Sequence, residues 1–336
     1  MRPSFYPRTI NGPFDDPGVF IPFLFEKRAF IFDIGDMPSL SSGDILKITH
    51  AFVSHTHMDH FAGFDSLLRL FLGREKDFYI YGPEGFLKNI EGKLAGYCWN
   101  LVQHYSNRFI LYATEICQEY MLTNQYPCQT GFRAIRDPVK QPFNGVLLAE
   151  PSLSVSSVIL DHSIPCLGFS IKEQFHINII KEKVEELGLE IGPWLKEFKD
   201  AVFYQHDMNS VFDVKFGKGG VKQKQFVLGD LAEQIALITP GQKITYITDV
   251  GYLSNADKII EFAKDSDYFF IEAGFLEKDK DIAEQKYHLT AWQAGTIAGK
   301  ARVKQFTIFH FSPRYTDMEH LLQQEARDAY EAALSL

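Results

Sequence analysis

The densest group of chemically active side chains lies in residues 54–60, which read Ser-His-Thr-His-Met-Asp-His. Three imidazoles and one carboxylate in so short a run offer enough ligands to begin two adjacent metal sites. In an extended segment residues i and i+2 point the same way, so His55 and His57 can bind one ion together. As the chain turns, Asp59 and His60 then face a second position. Imidazole with carboxylate favours zinc, with manganese or iron as alternatives.

This ligand-rich segment directly follows residues 47–53, a β-branched and aromatic stretch that is typical of a buried strand. The ligands therefore fall on the loop at the C-terminal end of that strand. Three further candidates, His162, Asp249 and His310, also stand at the ends of predicted strands. Any one of them alone would more often be a structural residue. Ligands at strand ends on one edge of a layered sheet can converge, so their joint placement favours a shared site.

Strand and helix patterns alternate along the chain. Apolar runs bounded by turn residues predict strands at residues 19–25, 29–35, 47–53, 77–82, 155–160, 167–171, 243–248, 268–272 and 305–309. The first two runs, and likewise the fifth and sixth, are spaced as hairpins. Helical spacing is present at residues 63–72, and Thr290 with Gln293 three positions later forms a capping box that begins another helix. This alternation predicts an α/β protein.

Length and composition set further limits. The chain has 336 residues, of which 46% are hydrophobic, enough for one large domain or two small ones. Its four cysteines include no CxxC pair, which argues against a disulfide framework or a thiolate zinc site and fits a reducing cytoplasm. Residues 1–7 lack the apolar core of a signal peptide, and no apolar run reaches the roughly 18 residues that a membrane span needs, so we expect a soluble intracellular protein. The net charge of -9 counts modestly against nucleic-acid binding, although bound divalent metals would offset acidic side chains locally.

With these residues in view, the chain resembles the metallo-β-lactamase superfamily and, within it, the ribonuclease Z family of endonucleases that trim the 3′ end of precursor tRNA. The His-x-His-x-Asp-His box marks only the superfamily. Greater specificity comes from residues 287–290, Tyr-His-Leu-Thr, and residues 310–315, His-Phe-Ser-Pro-Arg-Tyr, which look like two motifs of the family. Residues 81–86 and 161–169 are similar to the segments around its other histidine motifs. The resemblance implies a four-layer αββα sandwich, one hydrolase domain over residues 1–336.

Residues 187–196 are similar to the Gly-Pro element of the arm with which many members of the family hold the tRNA elbow. The resemblance thus implies an inserted arm over residues 172–225, in which Gly192 and Pro193 would contact precursor tRNA. A simple turn, or an arm that packs against a second subunit, is the alternative. Residues 215–224 form a cationic, glycine-rich loop that suits phosphate contact and a solvated tip equally well. Members of the family commonly form homodimers, which implies the same here.

The resemblance also implies a ligand set for two ions. His55, His57 and His162 would hold the first ion, Asp59, His60 and His310 the second, and Asp249 would bridge them. Two such cations would clamp a bridging hydroxide, which would attack the phosphodiester.

The same resemblance implies roles for residues around the ions. Asp59 would also orient the hydroxide as a base, and His288 would protonate the departing 3′ oxygen. Arg314, with Ser312, would contact the substrate and stabilise charge on the nonbridging oxygens. Glu272 ends a predicted strand, where it would either orient a ligand histidine or pair in a buried salt bridge.

Two departures from the family pattern concern the substrate. The usual Gly-Asp-Thr around the bridging aspartate is Thr-Asp-Val at residues 248–250, and Met58 stands where glycine is common. Residues 106–143 match no motif. An alternative function is therefore hydrolysis of a small phosphodiester, sulfate or similar ester at the same centre, because this fold hosts many hydrolases. A catalytically silent RNA-binding protein is disfavoured, since every ligand position is occupied.

Overall fold

A computed structural model describes residues 5–335, apart from Phe25, Gln205 and residues 218–221, and it leaves the side chain of His176 out. The chain divides into two compact units. The larger unit comprises residues 5–147, 155–171 and 243–335, and the smaller unit comprises residues 148–154 and 172–242.

Strands and helices alternate in both units. The strands in the described residues are β1 (Arg8–Thr9), β2 (Val19–Pro22), β3 (Ala29–Phe32), β4 (Ile48–Phe52), β5 (Lys76–Pro83), β6 (Phe109–Ile116), β7 (Tyr120–Pro127), β8 (Val139–Pro142), β9 (Val146–Ala149), β10 (Leu153–Asp161), β11 (Pro165–Glu173), β12 (Phe175–Ile179), β13 (Val211–Phe216), β14 (Lys222–Val227), β15 (Ala236–Pro240), β16 (Lys243–Ile247), β17 (Tyr268–Glu272) and β18 (Phe306–Phe309). The α-helices there are α1 (Ser42–Lys47), α2 (Met58–Phe61), α3 (Phe64–Phe71), α4 (Phe86–Ala95), α5 (Lys181–Glu186), α6 (Trp194–Phe203), α7 (Leu228–Ile235), α8 (Tyr252–Ala263), α9 (Lys280–Gln285), α10 (Ala291–Lys300) and α11 (Glu319–Leu334).

The first sheet of the larger unit contains β1 to β8 in sequence order. Strands β3 to β6 run parallel, whereas β1–β2–β3 and β6–β7–β8 are antiparallel. The predicted hairpin at residues 19–35 is therefore confirmed, although β3 ends at Phe32 because Asp33 adopts a left-handed backbone. Residues 106–143, which matched no motif, supply β6, β7 and β8 at one side of this sheet.

The second sheet has the order β18-β17-β16-β11-β10-β9. Strands β16, β17 and β18 run parallel, as expected for strands that are connected through helices. These strands and the adjacent pair β10 and β11 confirm the strands predicted between residues 155 and 309. Because the parallel strands are buried, they consist of nearly continuous apolar residues rather than alternating ones.

The two sheets pack face to face. The ring of Phe32 on β3 stacks on Phe169 of β11 with centroids 5.5 Å apart, and it lies 5.7 Å from the ring of Tyr246 on β16. Helices α1, α3 and α4 bury apolar side chains in the core that includes the first sheet, and helices α8, α10 and α11 do so in the core that includes the second. The predicted four-layer αββα sandwich is confirmed.

Helix α10 begins at the predicted capping box. The Thr290 hydroxyl accepts a hydrogen bond from the Gln293 backbone N–H at 3.1 Å, and the Gln293 side chain accepts one from the Thr290 backbone N–H at 3.0 Å. This reciprocal pair satisfies two N–H groups that the helix leaves unpaired at its start. The helix therefore starts at Ala291, directly after the motif that contains His288.

The smaller unit has its own apolar core. Strands β12 and β15 pair antiparallel, as do β13 and β14, and α5, α6 and α7 pack around Trp194 and Leu231. Gly192 and Pro193 lie immediately before α6. Residues 215–224 belong to the β13–β14 hairpin, whose residues 218–221 lie outside the described part. Residues 172–225, the predicted arm, fall within this unit, and their role in binding tRNA stays a prediction.

In the described part of the chain, no helix combines the length and the apolar character that crossing a membrane would require.

Close packing of α10 on α11 predicts a stability effect. A Cβ atom added at Gly295 would lie 2.0 Å from the Ala326 carbonyl oxygen, which is backbone and cannot rotate away. We expect Gly295→Ala to lower the free energy of unfolding by about 1–3 kcal/mol, the usual cost of overpacking, as measured by urea denaturation.

Gly92 in α4 is the matched control. A Cβ atom there meets no atom within 4 Å. Gly92→Ala should therefore raise the unfolding free energy by up to about 1 kcal/mol, because alanine favours the helix. Equal effects of both substitutions would show that the α10–α11 contact is not tight.

Candidate metal centre

The ligand-rich segment is shaped by a short helical turn after β4. His57 immediately precedes α2 in extended conformation, and Asp59 and His60 lie in that helix. The backbone N–H of Ile34 donates to the His60 carbonyl at 3.0 Å, which anchors the turn to the loop after β3. A Cβ atom at Gly35 would lie 2.1 Å from the Asp59 carbonyl oxygen, so this close approach requires glycine.

Three of the predicted ligands surround one carboxylate oxygen of Asp249. Oδ2 of Asp249 lies 3.4 Å from Nε2 of His60 and 3.6 Å from Nε2 of both His55 and His162. Ligand atoms of His55, His57, His162 and Asp249 all lie within 4.8 Å of one another. The first predicted ligand group is thus brought together, and all of its members except the exposed His57 are buried.

The second predicted group lies beside the first. Ligand atoms of Asp59, His60 and His310 also lie within 4.8 Å of one another. Oδ2 of Asp59 is 3.2 Å from Nε2 of His310 and 3.4 Å from Nε2 of His60, and Oδ1 of Asp249 is 2.9 Å from Nδ1 of His310. Asp249 therefore contacts members of both groups, the position expected for a bridging ligand.

Protein groups on the outer side orient three of the imidazoles. Nδ1 of His60 lies 2.8 Å from an oxygen of Asp33, and Nδ1 of His162 lies 2.8 Å from the Tyr287 carbonyl oxygen. Nδ1 of His55 lies 3.1 Å from the Ser54 hydroxyl. When Nδ1 donates to such a partner, the lone pair is on Nε2, which here faces Asp249.

The residues present fit a metal. Nε2 of His55 and Nε2 of His60 are buried and have no hydrogen-bond partner among the described residues. A buried polar atom without a partner is costly, whereas a bound cation would use its lone pair. The donor set of imidazoles and carboxylates suits zinc, and it also suits other divalent ions.

Charge pairing inside the cluster is strong. Burial, together with the nearby imidazole of His60, lowers the pKa of His55 to about 2, so His55 is neutral and able to act as a ligand. Burial would also lower the pKa of His310, but Asp249 and Asp59 outweigh it and raise that pKa to about 10. Against the effect of burial, His310 and His60 hold the pKa of Asp249 well below its usual range.

Asp33 supports the centre, and sequence reasoning missed it. This fully buried carboxylate accepts hydrogen bonds from the Ser54 backbone N–H at 2.6 Å, the Ser54 hydroxyl at 2.7 Å and the Tyr246 hydroxyl at 2.8 Å, besides its contact with His60. The available signal was a charged residue that interrupts an apolar strand, since a buried carboxylate must find partners.

The backbone around the cluster is strained. Five residues here adopt positive φ angles between 47° and 61°: Asp33, Ser163, Asp249, Tyr287 and His310. Each such conformation costs a non-glycine residue roughly 1–3 kcal/mol. The cost is offset by fixed contacts; for example, Asn255 accepts from the Asp161 N–H at 3.0 Å and donates to the Gly251 carbonyl at 2.7 Å.

His288 is held at the edge of the cluster by Glu272. Oε2 of Glu272 lies 2.8 Å from Nδ1 of His288, and its Oε1 accepts from the Val250 backbone N–H at 2.7 Å. Glu272 therefore connects His288 to the backbone beside Asp249. The histidine that Glu272 orients, His288, is not one of the seven predicted ligands. Burial would lower the pKa of His288, but Glu272 outweighs it and raises that pKa.

A cavity of about 400 Å³ opens over the cluster. Its lining comprises His57, Asp59, His162, Asp249, Gly274, Phe275, Lys286, His288, His310, Phe311, Ser312 and Pro313. Arg314 is not among these residues. Its guanidinium is half exposed, and Nη1 lies 3.8 Å from an oxygen of Asp279.

Lys286 is the cation in that lining, and sequence reasoning gave it no role. It stands two positions before His288, just after α9, and its ammonium lies 5.9 Å from the centroid of the Phe275 ring. The signal that could have found it is its place directly before the motif of residues 287–290.

Comparison with known proteins gives a consistent picture. Residues 233–311 match the family model of the β-lactamase superfamily domain. A ribonuclease Z from Treponema denticola is 29% identical over 316 residues, which cover 91% of this chain and 85% of the relative. A ribonuclease Z from Deinococcus radiodurans is 24% identical over 286 residues, which cover 84% of this chain and 81% of the relative.

Solved structures agree on the fold. The short form of human tRNase Z superposes with a TM-score of 0.51 at 18% identity and covers 93% of both chains. The metallo-β-lactamase fold protein YhfI from Bacillus subtilis gives a TM-score of 0.53 at 13% identity, covering 96% of this chain and 92% of that one. The chain is therefore similar in sequence to ribonucleases Z along most of its length, and these solved structures share its fold.

Proposed function

We propose that this protein is a metal-dependent endoribonuclease that removes the 3′ trailer of precursor tRNA. The observation that carries the proposal is the pair of ligand groups that meet at Asp249 in a chain matching ribonucleases Z along most of its length. The ligand groups and the sequence match are both consistent with a hydrolase that uses a divalent metal.

Two zinc ions are the proposed cofactors, with manganese or iron as alternatives. His55, His57, His162 and Asp249 would hold one ion, and Asp59, His60, His310 and Asp249 would hold the other. When bound, such ions would polarise the scissile phosphate and lower the pKa of water toward about 7. The neutral His55 and the partnerless Nε2 atoms of His55 and His60 in the described part support this assignment.

Acid and base roles follow from position. The side chain of Asp59 is 40% exposed and lines the cavity, so it can orient the attacking water and accept its proton. His288 also lines the cavity, and its Nδ1 is held by Glu272, which leaves Nε2 to give a proton to the departing 3′ oxygen. Glu272 thus acts through His288 as a positioning residue.

Lys286 and Ser312 are the proposed phosphate contacts inside the cavity. A polyanionic substrate that approaches a protein of net charge -9 needs a local cation, and Lys286 lines the cavity that contains the reacting groups. Arg314 remains a proposed contact for RNA outside the lining, where its half-exposed guanidinium could reach a neighbouring phosphate.

Recognition of the rest of the tRNA is proposed for residues 172–225. Gly192 and Pro193 stand at the start of α6, with Pro193 and the preceding Ile191 exposed. We also propose that the protein forms a homodimer and that it acts in the cytoplasm, where precursor tRNA is processed.

The direct test uses two substrates. Metal-loaded protein would be incubated with an intact precursor tRNA and, separately, with bis(p-nitrophenyl) phosphate. We expect one endonucleolytic cut that leaves a 3′-hydroxyl on the tRNA. Turnover of the small ester with the precursor left intact would contradict the proposal and favour a small-ester hydrolase.

Removal of the acid should affect the two substrates differently. We expect His288→Ala to lower kcat on precursor tRNA by roughly 100- to 10,000-fold, the usual contribution of a positioned acid, with bound metal unchanged. Hydrolysis of bis(p-nitrophenyl) phosphate should fall much less, because its leaving group needs no proton. Metal content would be measured by plasma emission alongside the kinetics.

The exposed His104 gives the matched control, and His104→Ala should change neither activity. Loss of metal in His288→Ala, or equal slowing on both substrates, would show that His288 does not act as the acid.

Removal of the cavity cation should weaken transition-state binding. We expect Lys286→Met to lower kcat/KM on precursor tRNA by roughly 10- to 100-fold, since a hydrogen bond to a charged group is lost. The salt dependence of log kcat/KM should become shallower by about 0.7–0.9, the value for one phosphate contact, and Lys286→Arg should restore most of the activity.

Lys280, an exposed lysine in α9 outside the cavity lining, is the control. If Lys280→Met matched Lys286→Met in both readouts, general surface charge would explain the effect. Arg314→Met measures the contribution of the cation outside the cavity.

Support of His60 by Asp33 predicts an effect on metal retention. Asp33→Asn keeps the shape of the side chain but weakens its bond to Nδ1 of His60, so metal affinity should fall roughly 10- to 100-fold. Competition with a chelator would measure the metal affinity.

Asp65→Asn, which alters an ion pair with Lys93 away from the cluster, is the control and should leave the metal affinity unchanged. An unchanged metal affinity in Asp33→Asn would show that Asp33 does not support the metal centre.

A further inference from the structure

A second cavity, of about 260 Å³, lies on one face of the first sheet over β5 to β8. It shares no lining residue with the cavity over the metal centre. Its lining includes Tyr79, Tyr112, Thr114, Thr123, Gln125 and Gln141. The mechanism proposed above uses none of these residues.

A row of stacked rings leads across the strands to this cavity. His50, Tyr79 and Tyr112 stand opposite one another on β4, β5 and β6. Their ring centroids are 4.8 Å and 4.7 Å apart, and neighbouring planes differ by only 13° and 15°. The next residue of the row, on β7, is Gln125, so the row of rings ends at Tyr112. Tyr79, Tyr112 and Gln125 all line the cavity.

A second row ends in the same way. Phe52 and Tyr81 stack with centroids 4.9 Å apart and planes 12° from parallel. The residues that continue this row on β6 and β7 are Thr114 and Thr123, whose hydroxyls lie 2.9 Å apart and bond each other. Short side chains therefore stand where further rings would fit, and the cavity occupies the space above them.

Polar groups border this space. The side-chain amides of Gln125 and Gln141 have no hydrogen-bond partner within the part of the chain that the structure describes, and each offers donors and an acceptor. Arg136, which precedes β8, lines the rim and forms no ion pair with any described residue. The edge of the cavity can thus pair with a polar ring or with an anion attached to it.

We infer that this cavity binds one planar heteroaromatic ring of the nucleobase type. The ring would continue the first row beside Tyr112, over Gln125, with its polar edge bonded by the two glutamine amides. Stacking on tyrosine is a recurrent way to hold a base. A volume below the roughly 300 Å³ of ordinary ligand sites suits a single ring system.

The base could belong to an unpaired nucleotide of an RNA or to a free nucleoside, and both share this chemistry. The inference does not rest on the proposed function, because base binding is measured without cleavage. Adenosine is a suitable probe for the free form, since it has no phosphate that could bind the metal centre. For RNA, a 2′-O-methyl pentaadenylate would be compared with the same backbone lacking its bases.

Two substitutions of the full-length, metal-loaded protein test the site. Gln125→Tyr adds a ring at the next position of the row and fills the cavity, and cross-strand aromatic pairs favour the sheet, so folding should be retained. Tyr112→Leu removes the ring on which the base stacks. We expect binding of the base-containing probe, measured by calorimetry or anisotropy, to weaken roughly five- to a hundredfold in both variants.

Tyr6→Leu, at a 60% exposed tyrosine outside the cavity, is the control and should bind as the unaltered protein does. The circular dichroism spectrum and the thermal unfolding midpoint should stay close to those of the unaltered protein in all variants, which shows an intact fold. If the two variants bind adenosine more weakly than the unaltered protein does, the site is assigned to a free nucleoside. If they lose affinity only for the pentaadenylate, and not for adenosine or the abasic backbone, the site is assigned to RNA. If neither probe distinguishes Gln125→Tyr and Tyr112→Leu from the unaltered protein, the inference is overturned.

Discussion

The buried carboxylate of Asp249 is the interaction on which the site depends. One oxygen faces Nε2 of three imidazoles at 3.4–3.6 Å, and the other lies 2.9 Å from His310. A carboxylate taken out of water is tolerated only with close opposite charge and ordered partners. Protonated histidines supply that charge in the protein alone, and bound cations would supply it in the proposed holoenzyme. Either way, the ligands must converge on this one residue.

The fold meets this demand through the ends of its strands. His162, Asp249 and His310 follow strands of the second sheet, whereas the ligand-rich segment follows β4 of the first. Because the sheets pack face to face, both edges supply residues to one cluster. Strained backbone at Asp249 and His310 turns each side chain toward the others, and the surrounding apolar core offsets the cost. Precision at the site is thus obtained from the rigidity of two sheets.

The resemblance to the metallo-β-lactamase superfamily implied the sandwich, whereas local signals in the sequence pointed to the seven candidate ligands that the structure brings together. Strand periodicity located His162, Asp249 and His310, and the capping box located the start of α10. Asp33 and Lys286 were not predicted because their roles depend on residues that are distant in sequence. Asp33 is bonded by Tyr246, and Lys286 lines a cavity that is formed by several segments of the chain. Arg314 matched a motif, but a motif does not tell whether a side chain lines a cavity. The rows of rings likewise depend on strand register, which no single segment contains.

The hydrogen bond from Tyr246 to Asp33 joins the two halves of the sandwich beside the cluster, since Tyr246 belongs to β16 and Asp33 follows β3. Asp33 in turn touches His60. Occupancy of the centre and cohesion of the sheets are therefore thermodynamically linked, and a ligand that binds only the native state raises its stability by mass action. The thermal unfolding temperature of this protein should consequently rise with the concentration of the metal ion, and a shortage of the ion would lower the stability of the fold as well as the activity.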